Sequence, residues 1–206
     1  METLALDGYT IFLMVLRWIH FIAGITWIGL LYFFNFVNGP FAKTMDGDTK
    51  KKVVPQLMPR ALFWFRWGAM ITFLVGWIYV FAKLHVNGSG HEALFTTTWG
   101  QWISLGGLLG SIMWFNVWFI IWPAQKKIIT WTKKGESPAE MAALVKKAFL
   151  ASRLNTYLSV PMLFCMGAAS HFPSFNLVTV ILVFAVGFAI VWHLVNKVAA
   201  KAGANF

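Results

Sequence analysis

Residues Leu16–Phe36 read LRWIHFIAGITWIGLLYFFNF, and this run decides the class of the protein. It is apolar and aromatic enough to cross a bilayer core of about 30 Å as a helix rising about 1.5 Å per residue. Yet it holds Arg17 and His20, three residues apart and so on one helix face. Ionisable groups at membrane depth are costly and face a bundle interior where a partner waits.

The surrounding composition agrees with a membrane chain. Of 206 residues, 59% are hydrophobic and 12% charged, with 20 Phe and 12 Trp. Mean hydropathy is +0.67, and the charged fraction is about half that of a soluble domain. The formal charge of +10 does not point to nucleic acid, because the Lys and Arg residues cluster in two loops and a tail beside apolar segments. That distribution sets membrane orientation. A single cysteine, Cys165, excludes an internal disulfide. Met1–Gly8 contains Glu2 and Asp7 and lacks a basic stretch, so no cleavable signal peptide is expected.

Five segments are long enough to span: roughly Ile11–Val37, Ala61–Leu84, Gln101–Trp122, Leu154–His171 and Leu177–Val198. The expected fold class is an all-α integral membrane protein, one transmembrane domain over residues 1–206 built as a five-helix bundle. The loops Asn38–Arg60 and Pro123–Arg153 carry five and seven Lys or Arg residues, whereas Val86–Gly100 and Phe172–Asn176 carry none. This bias places the N-terminus outside and the C-terminus in the cytoplasm. Ser137-Pro-Ala-Glu140 has the form of a capping box, predicting a helix from about Pro138. Asn87-Gly-Ser89 matches a glycosylation sequon. Trp99, Trp102, Trp122 and Trp131 sit near span ends, as an aromatic belt would.

A weak internal correspondence runs through the chain. Gly29-x4-Phe34-Asn35 and Gly110-x4-Phe115-Asn116 are each followed by Pro and then Lys; Ala61, Arg66 and His85 are echoed by Ala148, Arg153 and His171. The pattern suggests a parallel duplication of a two-helix unit, with Asn35 and Asn116 facing each other to satisfy their amides. Gly106-x3-Gly110 offers a close helix contact.

Three histidines are candidate ligands for haem iron: His20, His85 and His171. Imidazole is a common axial ligand, and a haem between helices is a familiar bundle cofactor. His85 and His171 match in depth; His20 and His193 do not, lying about 12 Å apart along the normal by helical rise. Gly24, one turn beyond His20, leaves a side-chain-free notch suited to a flat macrocycle or to a packed helix. Arg17 either snorkels outward or neutralises an acidic group on a cofactor or substrate. Met162, Cys165, Met166 and His171 would suit copper(I), a reading ranked behind haem b. All seven acidic residues fall outside the spans, which disfavours a carboxylate proton relay and hence secondary transport.

The run Trp18–Phe36, together with Trp114–Trp118 and its trailing Pro123-x-Gln125-Lys126, resembles the membrane domain of the PuuD-type, cytochrome-c-linked urate oxidases. In that family of bacterial inner-membrane proteins a helical membrane domain is fused to a C-terminal cytochrome c, which implies a bacterial inner membrane as the location here. The resemblance implies an oxidoreductase passing electrons from a small substrate or quinol to a cytochrome c. No Cys-x-x-Cys-His for covalent haem is present in the sequence, so a separate cytochrome c, or a place as a subunit of a larger respiratory assembly, is expected, and urate itself as substrate is put in question. The alternative is a non-catalytic accessory subunit. Under either reading the partners are the lipid bilayer and other membrane proteins, and so many aromatic faces suit a homo- or hetero-oligomer.

Overall fold

The computed structural model describes residues 7–86 and 90–202. The leader reading at Met1–Gly8 therefore falls almost entirely outside the described residues, and the sequon Asn87–Ser89 does so completely. Among the described residues all regular structure is helical: α1 (Gly8–Tyr32), α2 (Gly39–Thr44), α3 (Gly47–Val86), α4 (Ala93–Thr96), α5 (Thr98–Phe115), α6 (Trp122–Lys134), α7 (Met141–His171) and α8 (Leu177–His193). Residues Phe33–Asn38, Asn116–Ile121 and Leu194–Val198 continue α1, α5 and α8 as π-helical turns.

The two inner π segments have a common cause. Each begins seven residues before a proline, Pro40 and Pro123. Proline donates no hydrogen bond and its ring crowds the carbonyl four residues back. Widening the turn relieves the clash: the residues before the prolines, Gly39 and Trp122, donate five residues back, to Phe34 and Val117.

Helix ends follow local chemistry. Asp46 accepts from the backbone N–H of Asp48 and Thr49, at 2.9 Å each, and starts α3. The hydroxyl and N–H of Thr49 hold its carboxyl below the usual carboxylate range. Gly135, at φ +73°, ends α6 in the left-handed conformation, with Glu136 N–H reaching Trp131 O at 2.9 Å. The segment Asn38–Arg60, read from sequence as a loop, is mostly helix, because Asp46 caps it and Pro55 and Pro59 are absorbed inside the 40-residue α3. The capping box at Ser137 does not form. Its hydroxyl turns to the Met141 sulfur, Pro138 O takes the Met141 N–H, and α7 starts three residues later than expected.

The five long helices alternate in direction. Opposed residue pairs show it: Tyr9 with Ala82 and Phe34 with Phe65 across α1–α3, Trp77 with Ser111 and Trp67 with Trp118 across α3–α5, Trp102 with Phe172 and Asn116 with Asn155 across α5–α7. Four helical stretches are long and apolar enough to cross a membrane: Gly8–Thr44, Gly47–His85, Thr98–Lys134 and Leu177–Val198. α7 is long enough at 31 residues, but it carries Ser152, Arg153, Asn155, Thr156 and Ser159. Its polarity has a reason in its position, since it packs on α1, α5, α6 and α8 and turns those groups toward protein.

A buried polar seam runs along α7. Asn155 donates to Met113 O at 2.9 Å and accepts from Asn116 Nδ2 at 2.8 Å. Asn35 donates to Ser152 Oγ at 2.9 Å, and Tyr32 OH meets Ser159 Oγ at 2.9 Å. Asn35 and Asn116 thus do not face each other; each finds its partner on α7, which lies between them and supplies groups at matching spacing. Around the seam the core is Trp27, Leu31, Phe65, Met113, Val117 and their neighbours. Trp102, expected in an interfacial belt, is fully buried, its indole N–H bound to Ser174 O at 3.0 Å. Gly106 of the small-residue pair does allow a close approach, a Cβ there falling 2.9 Å from the Cys165 Cβ, whereas Gly110 meets nothing within 4 Å.

Replacing Asn155 or Asn116 by Ala will each destabilise the protein by about 1–3 kcal/mol, because each deletion strands a buried polar partner. In denaturation of the detergent-solubilised variants, the double variant will lose clearly less than the two losses summed. Strict additivity would mean that the amide pair does not exist.

Candidate functional site

At the end of the bundle opposite the basic loops, α1 and α3 meet along a row of small residues. Gly68, Thr72, Gly76 and Tyr79 are spaced four, four and three apart on α3, which puts them on one helix face. A Cβ on Gly68 would fall 3.2 Å from the Ala23 carbonyl and the Trp27 nitrogen, so the two backbones nearly touch there. Such contacts replace the hydrophobic effect as the source of helix association in lipid.

The approach delivers a specific bond. His20 Nδ1 lies 2.9 Å from the Thr72 carbonyl oxygen. A carbonyl only accepts, so Nδ1 carries the proton and Nε2 keeps its lone pair. Gly76 makes room: a Cβ there would stand 2.9 Å from His20 Cε1 and 3.0 Å from Nδ1. One turn toward the helix start, the Arg17 guanidinium donates to the Tyr79 hydroxyl and lies 5.2 Å from the centre of its ring. Arg17 itself is exposed and His20 half-buried.

The sequence-selected residues fall as follows. Arg17 and His20 are brought together with α3. The notch at Gly24 is occupied by a helix, because the Thr72 side chain lies 3.8 Å from where its Cβ would be. His85 and His171 are both exposed, at the ends of α3 and α7, and α5 packs between those helices. Cys165 and Met162 are core residues, with Cys165 closed in among Trp102, Ala168 and Gly106, while His171 stands exposed six residues on. Among the described residues no three His, Cys, Asp or Glu side chains gather as a metal site.

The arrangement offers one oriented imidazole with an available nitrogen, which fits a single axial ligand to haem iron; a carbonyl or carboxylate holding the second ring nitrogen is the usual support for a metal-bound histidine. Thr72, Gly76 and Tyr79 were missed by sequence reasoning that followed α1 alone. Their signal was legible as a small-residue stripe ending in a hydrogen-bonding aromatic.

Arg66 belongs to a separate structural feature. Its guanidinium lies 3.9 Å from the Trp122 ring centre, with Trp118 at 5.8 Å, and Trp118 Nε1 donates to Arg66 O at 3.1 Å. Cation–π contact holds the guanidinium in place.

Residues 78–205, well over half of the chain, match the family model described as urate oxidase N-terminal. No curated protein and no solved structure matches the chain. The matched stretch takes in Tyr79, α5, α6, α7 and α8 and the Trp114–Lys126 motif, and it begins beyond His20, Thr72 and Gly76.

Substituting Gly76 by Val will push the imidazole off the Thr72 carbonyl. Nitrogen-15 spectra of histidine-labelled protein will show His20 protonated at Nδ1 in the wild type and shifted to the Nε2-protonated form in Gly76→Val. An unchanged tautomer would show that the carbonyl does not set it.

Proposed function

The chain belongs to the urate oxidase N-terminal family, and from that premise we propose that it is a multi-pass bacterial inner-membrane redox protein that binds b-type haem at His20 and passes electrons between a small organic substrate or quinol and a separate cytochrome c. The observation that carries this reading is the His20 imidazole, its Nδ1 proton given to the Thr72 carbonyl 2.9 Å away and its Nε2 left as a donor for iron. Haem bound there supplies one-electron transfer. The residues of this chain do the rest. Thr72 fixes the ring and its tautomer, Gly76 admits the ring against α3, and Arg17, steadied by Tyr79, presents positive charge to an acidic group of the cofactor or substrate. His85 and His171 are the further ligand candidates.

In this reading five helices cross the bilayer, α7 among them, because its polar groups are satisfied inside the bundle and need no contact with lipid. The basic loops and the C-terminus lie in the cytoplasm, which sets His20 in the outer half. The second reading, a non-catalytic accessory subunit, draws on α8, whose Leu177, Val178, Ile181, Leu182 and Val186 are all exposed and would suit a partner subunit as well as lipid.

A dithionite-reduced minus oxidised visible spectrum of the detergent-purified protein separates the two. The redox reading expects a b-type α band at about one haem per chain, lost in His20→Ala and retained in His85→Ala and His171→Ala. A flat wild-type spectrum from haem-supplemented cells would leave the accessory subunit standing. A band that survives His20→Ala and vanishes in another variant would move the ligand.

A further inference from the structure

The end of the bundle bearing the basic loops, about 22 Å from His20 by the helical rise between residues 20 and 35, holds a half-open cavity of about 1290 Å³. It opens between the π turn of α1, the short α2, the first half of α7 and the π turn after α8. Its size exceeds the range of about 300–1,000 Å³ usual for a small-molecule pocket. Its walls are largely aromatic and aliphatic, with Phe34, Phe41, Phe65 and Phe149 among them. Polar groups that line it include Asn35, Asn38, Lys43, Gln125, Arg153 and Tyr157.

Two features give the cavity a sign. Among the described residues that line it there is no Asp or Glu, while Lys43 and Arg153 both do. The donors also outnumber their partners. Arg153 Nη1 is buried with no hydrogen-bond partner, and Asn38 Nδ2 has only the Met58 sulfur at 3.8 Å. An unpaired buried guanidinium N–H is costly, and Arg153 is held in place over Phe149, 5.0 Å from its ring centre. Nothing else among the described residues neutralises it: the one ion pair there joins Lys134 and Glu136 at 3.8 Å.

We propose that this cavity is a binding site for an anionic group, phosphate or carboxylate, carried on an apolar body, with Arg153 as its anchor. The guanidinium supplies a planar fork of donors suited to two oxygens of one anion. Asn38 and Tyr157 supply further donors, and the phenylalanine walls take the apolar part. A membrane phospholipid headgroup with its first chain segments has this chemistry and this bulk; a soluble anion has the charge without the chains. The site is independent of His20, and its test does not depend on haem.

Native mass spectrometry of the delipidated full chain, titrated with phosphatidylglycerol against phosphatidylcholine, tests it. One tight phosphatidylglycerol per chain is expected, with affinity at least tenfold above phosphatidylcholine. Arg153→Gln will reduce that preference about tenfold or more, while Arg60→Gln, a basic residue at the same end that does not line the cavity, will leave it intact. Ala42→Trp, which fills the cavity from α2 and keeps Arg153, will also abolish the tight adduct; if Arg153→Gln does not fold, this variant carries the test. Displacement of the lipid by millimolar inorganic phosphate would identify a soluble anion as the occupant and support the anion site. Equal loss in Arg153→Gln and Arg60→Gln would mean diffuse attraction to a basic face, and retention of tight binding in Ala42→Trp would place the lipid elsewhere. Either result overturns the proposal.

Discussion

The rest of the structure depends on the hydrogen-bonded seam along α7. In a bundle whose outer faces are apolar, a polar helix has one stable position, which is the inside, with every amide and hydroxyl paired. Asn155 binds both the side chain of Asn116 and the backbone of Met113, while Ser152 and Ser159 receive Asn35 and the hydroxyl of Tyr32. These bonds fix the rotation of α7 against α1 and α5 together. Apolar contact alone would not, because a Leu or Phe face tolerates rotation where an amide pair at 2.8 Å does not.

With α7 held in the middle, the two hairpins α1–α3 and α5–α7 acquire distinct surroundings. Each carries a π turn seven residues before a proline and each uses glycine to bring its helices together: Gly68 and Gly76 in one, Gly106 in the other. The first pairing receives a histidine ring against its glycine; the second receives Cys165 and Met166, which are ordinary packing. A similar backbone device thus leaves a chemically equipped contact on one side and an inert one on the other. The wide turn in α1 also lines the basic-end cavity with the continuous run Phe34–Thr44, so one proline shapes both the seam around Asn35 and the cavity beside it.

The two polar places are different in kind. At one end an imidazole is oriented by a backbone carbonyl that accepts from its Nδ1. At the other the half-buried Arg153 lies over the Phe149 ring with its Nη1 unpaired. The first is the proposed ligand for iron and the second the proposed anchor for an anion, and the bundle keeps them about 22 Å apart along α1. Charge follows the same division: most of the lysines gather at the cavity end, while Arg17 and Lys83 are the cations at the His20 end.

The sequence by itself determined the all-helical class and the long apolar stretches, but not how far the helices run on through the basic segments. Hydropathy over twenty-odd residues is a local property, so the long apolar stretches were legible, as were Arg17 and His20 as an anomaly within one of them. The choice of partner was not local. That Asn35 and Asn116 each turn to α7 and away from one another, that Trp102 lies in the core, and that Arg66 stacks on Trp122 all depend on which helix stands between which. The same holds for the site: His20 could be read from α1, but Thr72 and Gly76, which aim it, lie about fifty residues away and become its neighbours only when α3 folds back. The tertiary structure alone decided these pairings, because a hydrogen bond or a ring contact requires two groups within a few ångströms, and that distance is set by helix packing and not by the chain's order.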